Sequence, residues 1–408
     1  MESGQPQSLR LVRRLTLMHA VLYGIGVTIG AGIYVLVGVA AGRSGMYAPL
    51  GFLAAAIAMG FTAASFAELG TRMPVSASEA AYVQAAFRRN WLSLLMGLVV
   101  VATAVVSAAT ISAGSVSYIG VFVPLPAPLL ILCVVTLMGA VACLATTQSI
   151  AFAGVMTLIE VGGLALIIAA GLAKNPDIIG RLPEMMPGAD AKAWTSLGGT
   201  TLIAVFAFIG FEHIVNIAEE LEVPSWTLPR ALFLTLTATA LLYMMVIWIS
   251  VTTVLPAELA RSPAPLALVF ERLTGMPLIT MSVIAIVATL NGIVVHMIMI
   301  ARVLYGLADQ GNLPAVLARV NRATRTPLVA TFAGVAGILI LTLVVPLEGL
   351  ADLAARGTLA VFAGVNLALI AIKRRNAPAP EGVFNCPLWV GYAGLVSSLL
   401  LLAFGWLS

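Results

Sequence analysis

The sequence predicts an all-α integral membrane protein of about eleven transmembrane helices, arranged as two five-helix repeats of opposite orientation. Three observations predict it. The chain is 61% hydrophobic and 9% charged over 408 residues, whereas soluble domains carry charge on about a quarter of their residues. Apolar runs of about 20 residues recur, each long enough to cross about 30 Å of hydrocarbon. Two of those runs, the first and the sixth, are interrupted by glycine and polar residues, at an offset of five spans. An odd offset inverts the second unit relative to the first.

The spans are read at 16–40, 47–71, 91–118, 127–145, 149–172, 196–219, 230–254, 276–306, 326–345, 350–371 and 387–406. They divide the chain into an N-terminal segment (1–15), a first repeat (16–172), an outer loop (173–195), a second repeat (196–371), and a loop with an eleventh helix (372–408). The first run has no small-residue cleavage site behind it, so it reads as a span and the mature chain is expected to begin near Met1. Basic residues such as Arg10, Arg13, Arg14, Arg72, Arg88, Arg89, Arg230, Arg302, Lys373, Arg374 and Arg375 collect on one side, which the positive-inside rule makes cytoplasmic together with the N-terminus. Residues 78–89 read as a short amphipathic helix on that face, and 256–273 as a helical cap on the other.

The net charge of +4 is not gathered into a basic stripe, so no nucleic-acid partner is implied. Cys133, Cys143 and Cys386 form no disulfide or metal spacing, and no metal or cofactor is expected.

The first break runs Gly24-Ile25-Gly26-Val27-Thr28-Ile29-Gly30-Ala31-Gly32-Ile33. Each glycine weakens a helix interior by up to about 1 kcal/mol relative to alanine, so unwinding follows. The sixth span carries Gly210, Glu212 and His213 in mid-membrane. Unwound backbone in lipid needs a partner. A half-helix starting near Gly30 to Ile33 offers N–H groups to a carboxylate, and the carbonyls ending the preceding half-helix suit an ammonium. A zwitterion of amino acid size fits both; tight helix packing by small residues is the other use of such glycines.

Glu160 lies midway along the fifth span, where an unpaired carboxylate costs about 2.5–3.5 kcal/mol even on insertion scales. It reads either as a proton or cation site or as an acid locked to a neighbouring helix. Glu212 carries a proton or holds the sixth-span break together. Asn291 and Thr289 in the eighth span either join a cation or proton site or bond helix to helix. Arg356, four residues after Asp352, reads as a helical ion pair with a possible outer-gate use. His19, His213 and His296 read as lone histidines satisfying local hydrogen bonds.

Several stretches resemble the amino acid, polyamine and organocation transporter superfamily, in particular its bacterial amino acid permeases. They are Gly26-Val-Thr-Ile-Gly-Ala-Gly-Ile-Tyr34, Phe206-Ala-Phe-Ile-Gly-Phe-Glu212, Ala67-Glu-Leu-Gly-Thr-Arg-Met-Pro74 with Ala81-Tyr82, Ala301 to Pro314, and Lys373-Arg-Arg with Phe384-Asn-Cys-Pro387, in family order. The resemblance implies a leucine-transporter-like fold working by alternating access in a bacterial inner (plasma) membrane. It implies a substrate site from Thr28, Ile29, Gly30, Ala31, Gly32 and Ile33 on one break and Phe206, Ala207, Ile209 and Gly210 on the other. Amides around Ala31 and Gly32 would take the carboxylate, carbonyls of Thr28, Phe206 and Ile209 the amine, and Phe206 would form an aromatic lid. The uncharged residues near both breaks point to neutral amino acids.

The sequence departs from the family at Glu160, where proton-coupled relatives often have lysine; a carboxylate there takes a proton itself or attracts sodium. The glycine-rich pair usual before the tyrosine is replaced by Ala77-Ser78-Glu79-Ala80, and the chain stops after the eleventh span. The expected function is a secondary carrier of amino acids or amines, by proton symport, sodium symport or exchange. A channel lacks its rings of like groups, an enzyme lacks a paired nucleophile and base, and a non-transporting sensor would share the same marks. Oligomeric state is not readable.

Overall fold

The computed structural model describes residues 15–29, 32–74, 78–144, 150–322, 324, 326–375 and 382–407. Each expected span falls on helix. The first is two helices, α1 (Leu17–Ile29) and α2 (Gly32–Ser44), followed by α3 (Ala48–Arg72), the short α4 (Ser78–Phe87), α5 (Asn90–Ile119), α6 (Ala127–Leu144) and α7 (Ile150–Lys174). The sixth is α8 (Ala191–Ala207) continued by a 3₁₀ segment, Phe211–Glu220. Then come α9 (Pro224–Thr253), α10 (Pro256–Arg261), α11 (Pro265–Thr274), α12 (Ile279–Asp309), α13 (Leu328–Val344), α14 (Leu347–Arg374) and α15 (Leu388–Leu407).

Among the described residues, eight stretches are long and apolar enough to cross a membrane, one of them running through α2 and α3 together; α1, α13 and α15 are shorter apolar helices. Leucines 129, 132 and 137 of α6 stand exposed by 43%, 44% and 61%. Such a face suits lipid, not water. The sixth span is the most enclosed, with 83% of its apolar window buried against 33% for the fifth, so its break sits at the centre of the bundle.

Local chemistry sets the helix ends. Asp190 caps α8 by accepting from the Lys192 amide at 2.9 Å. Prolines open α9, α10 and α11, where a missing N–H costs nothing. The expected outer cap at 256–273 is two helices, and the left-handed Gly275 (φ 74°) ends the second. The amphipathic segment at 78–89 is α4. One pairing has no counterpart in the sequence reading. Leu15, just before α1, forms a parallel bridge with Leu221, just after the 3₁₀ segment, through Leu15 N–H to the Glu220 carbonyl (3.0 Å) and Glu222 N–H to the Leu15 carbonyl (3.1 Å). It fastens the start of the first broken span to the end of the sixth on the face that carries α4.

Candidate functional site

The two breaks meet each other. Gly210 follows the end of α8 with φ 126°, a conformation that L side chains rarely adopt. A Cβ there would stand 2.8 Å from the carbonyl group of Val27. Gly32, at the start of α2, touches the other side: its Cβ would lie 2.5 Å from Cα of Ala207. Glycine at both positions is therefore a condition of close approach.

Where the breaks meet, α1 and α8 end, and their last carbonyls carry the negative ends of two helix dipoles. Tyr243 of α9 bridges them. Its hydroxyl donates to the Thr28 carbonyl at 2.9 Å and stands 3.1 Å from the Ala207 carbonyl, a three-centre arrangement. The ring packs against Phe208 (centroids 5.3 Å) and edge-on against Phe52 (6.0 Å), which fixes the hydroxyl. The sequence reading missed Tyr243. A tyrosine inside an otherwise apolar span was the only signal, and nothing local says which carbonyls it reaches.

Thr28 turns its own hydroxyl to the Gly24 carbonyl at 2.7 Å, leaving only its backbone for the site. Ile29 and Ile33 are fully buried. Gly30 and Ala31 lie outside the described residues. Phe206 is buried, and its carbonyl accepts the Ile209 amide at 3.2 Å within the tight turn that ends α8. Ile209 lines a small cavity beyond the break.

Glu212 folds back on the break: its Oε2 accepts the Gly210 amide at 2.9 Å. Its Oε1 lies 3.8 Å from Nε2 of His213.

Glu160 of α7 is fully buried. Asn291 Nδ2 of α12 donates to Oε1 at 3.3 Å, while Oε2 has no hydrogen-bond partner among the described residues. The Glu160 backbone carbonyl accepts the Tyr34 hydroxyl at 2.7 Å, and the Tyr34 carbonyl accepts the Tyr118 hydroxyl at 2.8 Å. These bonds tie α7, α2 and α5 around the first break. Thr289 turns its hydroxyl back to the Ala285 carbonyl at 2.9 Å, so it is engaged inside α12.

Arg356 pairs with Asp352 at 3.1 Å, as the spacing predicted. The structure adds Arg43 from the end of α2, which reaches Glu348 (2.7 Å), Asp352 (3.5 Å) and the Gly199 carbonyl (3.3 Å). The network joins α2, α8 and α14 at the end of the bundle away from α4.

A second network was also missed. Glu68 of α3, fully buried, receives Arg72 (2.7 Å), Lys373 (2.6 Å) and the Cys386 amide (2.9 Å). Lys373 also donates to Asn385 (2.6 Å) and to the Cys386 carbonyl. Three of the family-like stretches thus converge on one carboxylate. Burial, together with the bond to Glu68, pushes the Cys386 thiol up to about 12. Among the described residues, no group of three or more His, Cys, Asp or Glu could hold a metal ion.

The family model described as amino acid permease matches residues 15–408. The chain is 28% identical to the branched-chain amino acid permease BcaP of Bacillus subtilis (strain 168), over 98% of this chain and 89% of that protein. It is 27% identical to the methylthioribose transporter of the same organism, over 94% and 86% respectively. Its fold resembles that of the Eremococcus coleocola manganese transporter, with a TM-score of 0.65 at 12% identity, covering 100% of this chain and 90% of that one.

Proposed function

We propose a mechanism from what the chain is: it belongs to the amino acid permease family and is a multi-pass membrane protein, a secondary amino acid transporter of the leucine-transporter-like fold. In this reading an amino acid or related amine binds where the two breaks meet. Its carboxylate lies against the amides opening α2 at Gly32 and Ile33. Its ammonium lies against the carbonyls ending α1 and α8. Each carbonyl has two lone pairs, and Tyr243 takes one at most. The second is left for the ammonium.

The observation that carries this reading is the convergence of the Thr28 and Ala207 carbonyls on the single hydroxyl of Tyr243. Phe206 serves as the lid, Ile29, Ile209 and Gly210 complete the wall, and the substrate is a neutral amino acid. The relative named for branched-chain amino acids supports that class. Glu160, held by Asn291 with one oxygen unpartnered, carries the coupling proton. Sodium coupling is the alternative that its charge also allows. Residues 16–172 and 196–371 are the two inverted repeats, and the face with α4 is cytoplasmic in a bacterial inner membrane. Arg356 and Arg43 close the opposite face.

Purified protein in liposomes, given an inside-alkaline pH gradient without sodium, should accumulate one or more labelled amino acids, and a protonophore should collapse the accumulation. Uptake that needs a sodium gradient instead would overturn the proton assignment and leave the site assignment to be judged by its own variants.

A further inference from the structure

Two of the three histidines that sequence alone leaves isolated are paired in the fold. His213, directly after Glu212, and His296 of α12 are both 6% exposed, and their rings lie 6.1 Å apart between centroids. His296 bonds through Nδ1 to the Gly292 carbonyl at 2.9 Å, which directs its other ring nitrogen away from its own helix. It also lines the cavity that begins at Ile209 and reaches Glu79 of α4. Two buried hydroxyls on the same cavity, Ser107 Oγ and Thr358 Oγ1, have no hydrogen-bond partner among the described residues. The cavity has ≈ 30 Å³ of room, enough to hold water, and a buried water needs two to four polar partners.

We propose that Glu212, His213, His296 and Glu79 form a proton path from the sixth-span break to the face carrying α4. A proton on the Glu212 carboxyl passes 3.8 Å to His213, leaving a carboxylate and forming an imidazolium. It moves on to His296, and then through water held by Ser107 and Thr358 to Glu79. Each imidazole returns to neutral as the proton leaves, so no other reactant is consumed. Ionisable groups inside a membrane are expensive, and a line of acids and histidines there marks a relay. The cavity faces of α5 and α14 bring no ionisable group to His296. The other charged or titratable groups nearby are Tyr23, within reach of the charges of Arg302, Glu220 and Glu212, and Glu160, which meets α12 at Asn291, five residues before His296.

This inference rests on the proton-coupled reading. The test uses proteoliposomes with trapped pyranine and labelled leucine, serine and lysine assayed in parallel. In His296→Gln, pH-driven accumulation and substrate-dependent proton movement should fall about tenfold or more, while counterflow of preloaded substrate, which needs no net proton release, falls less than about threefold. His296→Glu, able to pass a proton, should recover accumulation; His213→Gln should resemble His296→Gln. If the wild type moves no protons with substrate, the coupling reading itself fails. If the wild type couples and the His213→Gln/His296→Gln double variant couples equally, only the path is overturned. Parallel loss of accumulation and counterflow in both position-296 variants overturns it too, because the histidines then only shape the gate.

Discussion

The phenolic hydroxyl of Tyr243 donates to the carbonyl of Thr28 at 2.9 Å, across 215 positions of sequence. That bond, shared with Ala207, braces the negative ends of two half-helices that would otherwise repel. Tyr243→Phe leaves two buried carbonyls without their donor, at a cost of about 1–3 kcal/mol. The variant should melt at a lower temperature in detergent, and its transport KM should rise because the two ends lose their register. Wild-type melting and wild-type KM together would remove the brace from the mechanism.

Gly210 is the position least able to accept a side chain. Its φ of 126° is strained for any L residue, and a Cβ would strike the Val27 backbone, which cannot rotate away. Gly210→Ala should abolish uptake and lower the melting temperature. Gly162 of α7 is the internal control: it is helical with nothing within 4 Å of its would-be Cβ, so Gly162→Ala should be neutral or slightly stabilising. Equal tolerance at both positions would show that the breaks do not pack as described.

Glu160→Gln keeps the shape and the Asn291 contact but removes the exchangeable charge. In liposomes it should lose accumulation driven by a pH gradient and retain counterflow. Full pH-driven accumulation in this variant would exclude Glu160 as the carrier of the coupling proton.

Glu68 is predicted to matter for stability more than its position in an apolar helix implies. Glu68→Gln strips a buried carboxylate from Arg72 and Lys373, and breaking such a pair from one side costs roughly 3–5 kcal/mol. Adding Lys373→Met should recover part of the loss, measured as melting temperature in a double-mutant cycle. Additive losses would mean that the two residues do not interact.

Cys386 supplies a pH test of the same network. Its thiol, raised to about 12 by burial and by Glu68, stays protonated at any pH well below that value. With Cys133 and Cys143 replaced by serine, maleimide labelling of the native fold should be slow at pH 7 and still climb about tenfold per pH unit up to about pH 9, whereas labelling of a free thiol near 8.5 levels off within that window. Adding Glu68→Ala should open the site and restore the ordinary pH dependence. Fast labelling that levels off near pH 9 with Glu68 intact would contradict the burial.

Solvent choice and helix count were written in the sequence. Charge on 9% of residues excludes water as the surrounding medium, and glycines and acids inside two apolar runs five spans apart mark the breaks, because hydrophobic transfer and helix propensity act locally along the chain. Glu160 and Glu212 stood out for the same reason: a carboxylate in an apolar run is costly wherever it points. What the sequence left open was pairing. That one oxygen of Glu212 reaches the Gly210 amide while the other faces His213, and that Thr289 is engaged inside its own helix, came only from the tertiary structure. Tyr243, Arg43, Glu68 and the facing of His213 on His296 depend on how helices far apart in sequence rotate against one another. That rotation is set by packing over the whole bundle, where a few degrees bring a side chain to a carbonyl or turn it to lipid, and no local pattern encodes it.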